Sequence, residues 1–218
     1  MDYTLQIWKR PFKLLTELYY KNLSHIIPYT LDNVKINYKP ELEAHGYATG
    51  LDIRINGEFV KGTESWASIS FLSTEEQLDG SDEWIKRPSN QFLNFGMFFQ
   101  DYFPGYDRIK VNLTFLYGSK LPTGPPNAIS HEESDNYSIS SYKRVDLGIS
   151  TVIIQKKDTD LKKKKGLQSL WIGLEVFNLL DISNKISYLW IKDLEDKNHR
   201  VPNYLTSRVI NLKISAKL

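Results

Sequence analysis

Apolar and polar side chains alternate one for one in segment after segment of this chain. In the closing stretch, Tyr204 to Leu218 (YLTSRVINLKISAKL), the run from Ile210 onward does so without a slip. Ile210, Leu212, Ile214, Ala216 and Leu218 fall on one series, and Asn211, Lys213, Ser215 and Lys217 on the other. A period of two is the signature of a strand whose two faces meet different environments. Eight earlier segments read the same way: residues 2–8, 11–21, 47–57, 63–72, 91–101, 108–117, 142–154 and 167–180. In 47–57, for example, Tyr47, Leu51, Ile53 and Ile55 oppose Gly50, Asp52, Arg54 and Asn56. The fold class expected is all-β, an antiparallel sheet of about nine strands.

The spacing between segments carries a second pattern. Connections are short at 9–10, 58–62, 102–107 and 155–166, and long at 22–46, 73–89, 118–140 and 181–203. Segments of about 9–11 residues cross a bilayer when tilted, and outer-membrane barrels put short turns on one side and long loops on the other. A transmembrane β-barrel segment is therefore expected, and the chain should form an open, curved sheet without a plug domain. The first strand and the last would be its free edges. The competing architecture is a β-sandwich in water. Its strands are typically ~5–6 residues, shorter than these, and its loops do not sort by side.

Charge supports the membrane reading. Lys13, Glu17, Asp52, Arg54, Glu64, Lys110, Arg144, Asp146, Glu175, Lys213 and Lys217 all lie on the polar series. Lys143 and Asp101 break the rule, and both stand at strand ends. A charge facing lipid at mid-depth costs roughly 2–4 kcal/mol, which accounts for the segregation. Asp52 with Arg54, and Arg144 with Asp146, are neighbours on one face and read as lumen-lining pairs that neutralise one another. Glu175 joins them as a lumen-lining candidate. Aromatics gather at strand ends: Tyr19, Tyr20, Tyr47, Trp66, Tyr102, Phe103, Tyr117, Tyr142, Trp171 and Tyr204. Belts of such rings at both headgroup levels are expected.

Composition narrows function by exclusion. The chain has 218 residues, a net charge of +2 and no cysteine. Disulfides, thiolate chemistry and sulfur-built zinc sites are excluded, and no global field points to nucleic acid. The N-terminus lacks the basic and apolar stretches of a secretory signal, so either the protein stays in the cytoplasm or its true beginning lies upstream. Glu75, Glu76, Asp79, Asp82 and Glu83 could take Ca²⁺, but they lack EF-hand spacing and read as a solvated loop. His131-Glu132-Glu133 has no second histidine at helical spacing and reads as loop surface. Lysines 162–165 read as a solvated turn. Gly118 to Pro126 lacks the Lys-Ser/Thr ending of a phosphate cradle. No serine, histidine and acid arrangement stands out, and neither an enzyme nor a cofactor is expected.

Several blocks carry a family likeness: RPFKLLTELYYKNL (10–23), IPYTLDNVKINY (27–38), GYATGLDIRINGEFVKGTESWASISFLSTEE (46–76), RPSNQFLNFGMFFQDYFPG (87–105), KVNLTFLYGSKLPTGPP (110–126), YKRVDLGIS (142–150), LWIGLEVFNLLDISNKISYLW (170–190) and VPNYLTSRVINLKISAKL (201–218). Together they resemble the C-terminal barrel region of TonB-dependent outer-membrane receptors of the Bacteroidota type. The resemblance implies part of a barrel of about 22 strands in the cell outer membrane. It implies import of a small nutrient ligand, energised by a TonB-type complex acting through an N-terminal part, with insertion by the barrel-assembly machinery. The chain departs from the pattern at Leu218, where such proteins usually end on an aromatic residue. The alternative is a truncated remnant or outer-membrane binding module that does not transport.

Overall fold

A computed structural model describes residues 2–7, 9–124, 138–155, 166–195 and 197–217. His131-Glu132-Glu133, lysines 162–165 and the terminal Leu218 lie outside the described residues. The described chain is all-β, and its strands pair antiparallel throughout. In order they are β1 (Asp2–Ile7), β2 (Arg10–Ile26), β3 (Tyr29–Asp32), β4 (Lys35–Tyr38), β5 (Ala44–Val60), β6 (Thr63–Leu78), β7 (Trp84–Lys86), β8 (Leu93–Phe103), β9 (Tyr106–Gly118), β10 (Leu121–Pro122), β11 (Ser138–Ile139), β12 (Tyr142–Gln155), β13 (Ser169–Phe177), β14 (Lys185–Lys192), β15 (Asn198–Tyr204) and β16 (Val209–Lys217).

One sheet runs β1-β2-β5-β6-β8-β9-β12-β13-β16, with β7 attached beside β6. The nine strands on this path are the nine alternating segments of the sequence. The sheet does not close: among the described residues β1 pairs only with β2, and β16 only with β13. Nine alternating directions leave those two edge strands running the same way.

The connections sort by side. Lys61-Gly62 joins β5 to β6, and Pro104-Gly105 joins β8 to β9. Gly62 (φ 78°) and Gly105 (φ 81°) occupy the left-handed region that such reversals require. At the other end the connections carry small structures of their own. The β3–β4 hairpin rises between β2 and β5, β7 lies between β6 and β8, the β10–β11 pair lies between β9 and β12, and the β14–β15 hairpin stands between β13 and β16.

Strands β2, β5 and β6, of 17, 17 and 16 residues, are longer than their alternating segments. Most of the excess lies at the long-connection end, where pairing runs on to Ile26↔Ala44 and Ala44↔Leu78, but β5 also extends through 58–60 at the short-turn end, residues expected as part of a connection. Residues 22–26 and 73–78, expected as connections, are therefore strand. Polar residues occupy both faces there (Asn22, Ser24 and His25; Glu75, Glu76 and Gln77), so the period-two signal fades while the ladder continues.

Among the described residues no second layer covers the sheet. Among the described residues the buried apolar side chains are Phe12, Pro28, Ala44, Ile85, Ile139, Val152 and Tyr188. Ala44, Ile85, Ile139 and Tyr188 belong to the long-connection rim, and Phe12 and Val152 to the short-turn rim. Between the rims the apolar series stands open: Leu18 is 80% exposed, Ile149 45% and Leu212 66%.

Candidate functional site

The register fixes which residues share the polar face. Glu17 faces Asp52, Leu15 faces Arg54, and Arg54 faces Ser68. Farther along, Gln100 faces Asn112, Thr114 faces Asp146, Gly148 faces Glu175, and Gly173 faces Lys213. Asp52, Arg54, Arg144, Asp146 and Glu175 therefore lie on one face, as the alternation required.

The two expected charge pairs differ. Arg144 Nε donates to Asp146 Oδ1 at 2.7 Å, and the guanidinium also lies 5.1 Å from the Phe177 ring centre. The same Oδ1 accepts the backbone N–H of Asn178 at 2.8 Å. Asp146 is only 8% exposed, so the pair ties the top of β12 to the chain leaving β13. Arg54 behaves otherwise: its guanidinium sits over the Trp66 ring, 5.3 Å from the centre, and among the described residues no ion pair joins it to Asp52. Glu175 takes a hydrogen bond from Asn211 Nδ2 at 3.2 Å and meets Lys213 Nζ at 3.8 Å.

Around Asn178 the chain is bolted to β12. Asn178 has φ 52°, a left-handed conformation that asparagine tolerates. Its side chain donates to Ile182 O at 3.0 Å and accepts from Ile182 N at 3.1 Å. Asn184 grips Lys143 twice, accepting from its N–H and donating to its C=O, each at 2.8 Å. These contacts give the LEVFNLLDISN stretch its structural meaning, which alternation alone did not reveal.

The aromatic belts hold only in part. On the apolar face Tyr20, Tyr47 and Trp84 form a row at the long-connection rim, with ring centres 6.3 and 5.5 Å apart. Phe12, Phe59 and Phe99 form another at the short-turn rim, at 4.7 and 6.5 Å. Trp66, Tyr102 and Trp171 belong to neither row. They are in phase with Ser68, Gln100 and Gly173, so they face the polar side. Lys110 Nζ stands between two of them, 5.1 Å from Tyr102 and 5.0 Å from Trp171.

The polar face holds hollows. One of them, about 450 Å³, is lined by residues of β8, β9, β12, β13 and β16, Lys110, Trp171 and Lys213 among them. A smaller one, about 230 Å³, lies above it beside Arg144, Asn184 and Ser207.

The acidic run does not gather into one site. Glu75 and Glu76 are consecutive on β6 and point to opposite faces. Glu75 accepts from Tyr47 Oη at 2.8 Å, while Glu76 Oε2 lies 2.9 Å from Arg87 Nε. Among the described residues no group of three or more ligating side chains could hold a metal ion. In the turn after β14, His199 Nε2 approaches Asp193 at 2.7 Å. That hydrogen bond, followed by those from the Lys197 and Glu195 N–H groups, holds the Asp193 carboxyl below its ordinary pKa.

No family model, no curated protein and no solved structure matches this chain.

Proposed function

We propose that the chain is the C-terminal wall of a TonB-dependent outer-membrane receptor, part of a barrel that imports a nutrient. The observation that carries this reading is the single-layer sheet itself. Among the described residues its apolar face has no covering layer, and away from the strand ends, where Asp101, Lys143 and Glu75 stand, its charged groups lie on the other face. In hydrocarbon an open apolar face is satisfied by lipid, and the backbone is satisfied by the ladder. Two aromatic rows at the rims fit the headgroup levels. Long connections at one end, and the two-residue turns Lys61-Gly62 and Pro104-Gly105 at the other, fit the outer and inner sides of that membrane. The resemblance of the sequence blocks supplies the family, and with it the energy-coupling and assembly partners.

The open edges favour a second reading of the chain taken alone, as a barrel remnant that does not transport. Because β1 and β16 run the same way, antiparallel closure needs an odd number of further strands between them. Without those strands each unpaired edge group costs several kcal/mol in hydrocarbon.

Orientation tests the first reading. Cysteine is placed at Asp82, among the long connections, and at Lys61, in a two-residue turn, of the intact protein. On whole cells an impermeant maleimide should label position 82, and should label position 61 only after the membrane is permeabilised. Labelling of 61 alone would reverse the orientation. Recovery of the protein in the fraction free of membrane would end the barrel reading.

A further inference from the structure

We propose that the hollow on the polar face between β9 and β16 is a binding site for an organic anion with a flat apolar body, held through Lys110. The proposal rests on the reading of that face as the lumen of a barrel.

The floor of the hollow is made by small residues. Ser150 and Gly173 face each other on β12 and β13, and Ser215 follows on β16 opposite Trp171; Gly148 lies beside the hollow, two residues along β12 from Ser150. A Cβ on Gly148 would come within 2.6 Å of the Asn112 amide, which lies across it. Larger side chains rise around this floor, with Phe98, Trp171 and Phe177 supplying ring surface and Gln100 and Asn112 supplying amides. A space of about 450 Å³ results, within the size range of small-molecule sites.

Charge accounting singles out one residue. Asp146 is taken by Arg144 and by the Asn178 N–H. Glu175 is shared by Asn211 and Lys213. Lys110 faces Ser150 on one side and Tyr102 on the other, neither of them charged. Among the described residues it is the cation of this hollow that has no carboxylate partner, and its ammonium stands between the Tyr102 and Trp171 rings. Ring quadrupoles attract the ammonium but leave its N–H donors without anionic acceptors. A carboxylate or sulfate entering the hollow would complete that shell with a charge-assisted hydrogen bond, while its apolar part would lie against Phe98 or Trp171.

The test uses the intact protein, extracted from the membrane fraction into detergent micelles, with naphthoate as the anion and naphthamide as its neutral counterpart. Equilibrium dialysis reads the bound probe, and the naphthamide arm measures partition into the micelle. Naphthoate should bind saturably and more tightly than naphthamide. Lys110→Gln should weaken it by about tenfold, the loss of one charge-assisted contact, Lys110→Arg should retain most of it, and Lys213→Gln should change it little. Equal binding of the two probes by the unmodified protein would overturn the proposal, as would undiminished naphthoate binding by a Lys110→Gln variant of unchanged heat-modifiable mobility. A separate sample carries a dye on cysteine at Ser150. Quenching of that dye by a lipid-borne nitroxide would overturn the lumen reading and this site with it. Quenching by aqueous iodide alone, with equal binding of both probes, would overturn the site and leave the lumen reading standing.

Discussion

Asn33 Oδ1 accepts two hydrogen bonds of 2.6 Å, one from Ser187 Oγ and one from Asn203 Nδ2, across 154 and 170 residues of sequence. Asn33 turns the β3–β4 hairpin, with φ 57°, and the other two residues face each other on β14 and β15. From β5 to β13 the sheet order takes five steps, which at ~4.8 Å each is roughly 24 Å across a flat sheet. The hairpins meet, so the sheet is curved between β5 and β13.

The Asn33 contact should hold the two hairpins together. Asn33→Leu would leave Ser187, 3% exposed, without its acceptor and would cost about 1–3 kcal/mol locally. The expected outcome is faster amide hydrogen exchange in β14 and β15, with exchange in β9 and β12 unchanged. Unchanged exchange in the hairpins would mean that the contact contributes nothing to holding them.

Neighbouring residues on opposite faces give a paired test of environment. Ile149 lies on the apolar series and Ser150 on the polar one, one residue apart and at nearly equal depth. Ile149→Arg should hinder insertion by roughly 2–4 kcal/mol, whereas Ser150→Arg should be tolerated by the membrane. Folding yield, read by heat-modifiable mobility, is the measurement. Equal yields would argue that β12 does not face lipid.

Asp146 predicts a loss at the rim. Asp146→Ala removes the acceptor of both Arg144 Nε and the Asn178 N–H, leaving a half-buried guanidinium and a buried N–H unmatched. Discounted for the partial exposure of Arg144, the cost is about 1–3 kcal/mol. The denaturation midpoint in detergent should fall accordingly, and Asp146→Asn, which keeps an acceptor, should recover part of it. A midpoint unmoved by Asp146→Ala would show that the segment after β13 is held by other contacts.

Most of the sheet was legible in the sequence because alternation survives wherever the two faces meet different surroundings. Across 47–57 or 108–117 each residue's phase gives its face, and the structure pairs these strands in that phase. Asp52, Arg54, Arg144, Asp146 and Glu175 were found in this way. Phase would also have put Trp66, Tyr102 and Trp171 on the polar face, had their alternation outweighed their aromatic character.

Beyond the rim the sequence stops reporting. Residues 22–26 and 73–78 continue their strands with polar groups on both faces, so no period marks them, and a connection was the natural expectation. Which charge pairs with which is equally local. Asp52 with Arg54 and Arg144 with Asp146 share a spacing of two, yet only the second pair closes, because Trp66 stands beside Arg54 while the Asn178 N–H helps fix Asp146. Contacts such as Asn33 with Ser187 and Asn203 depend on sheet curvature, which sums small twists over many strands. No single stretch encodes that sum. The sequence by itself determined the strands, their faces and the sides of their connections. The tertiary structure decided the partners across the hollow and above it, because those depend on where distant strands are carried once they have paired.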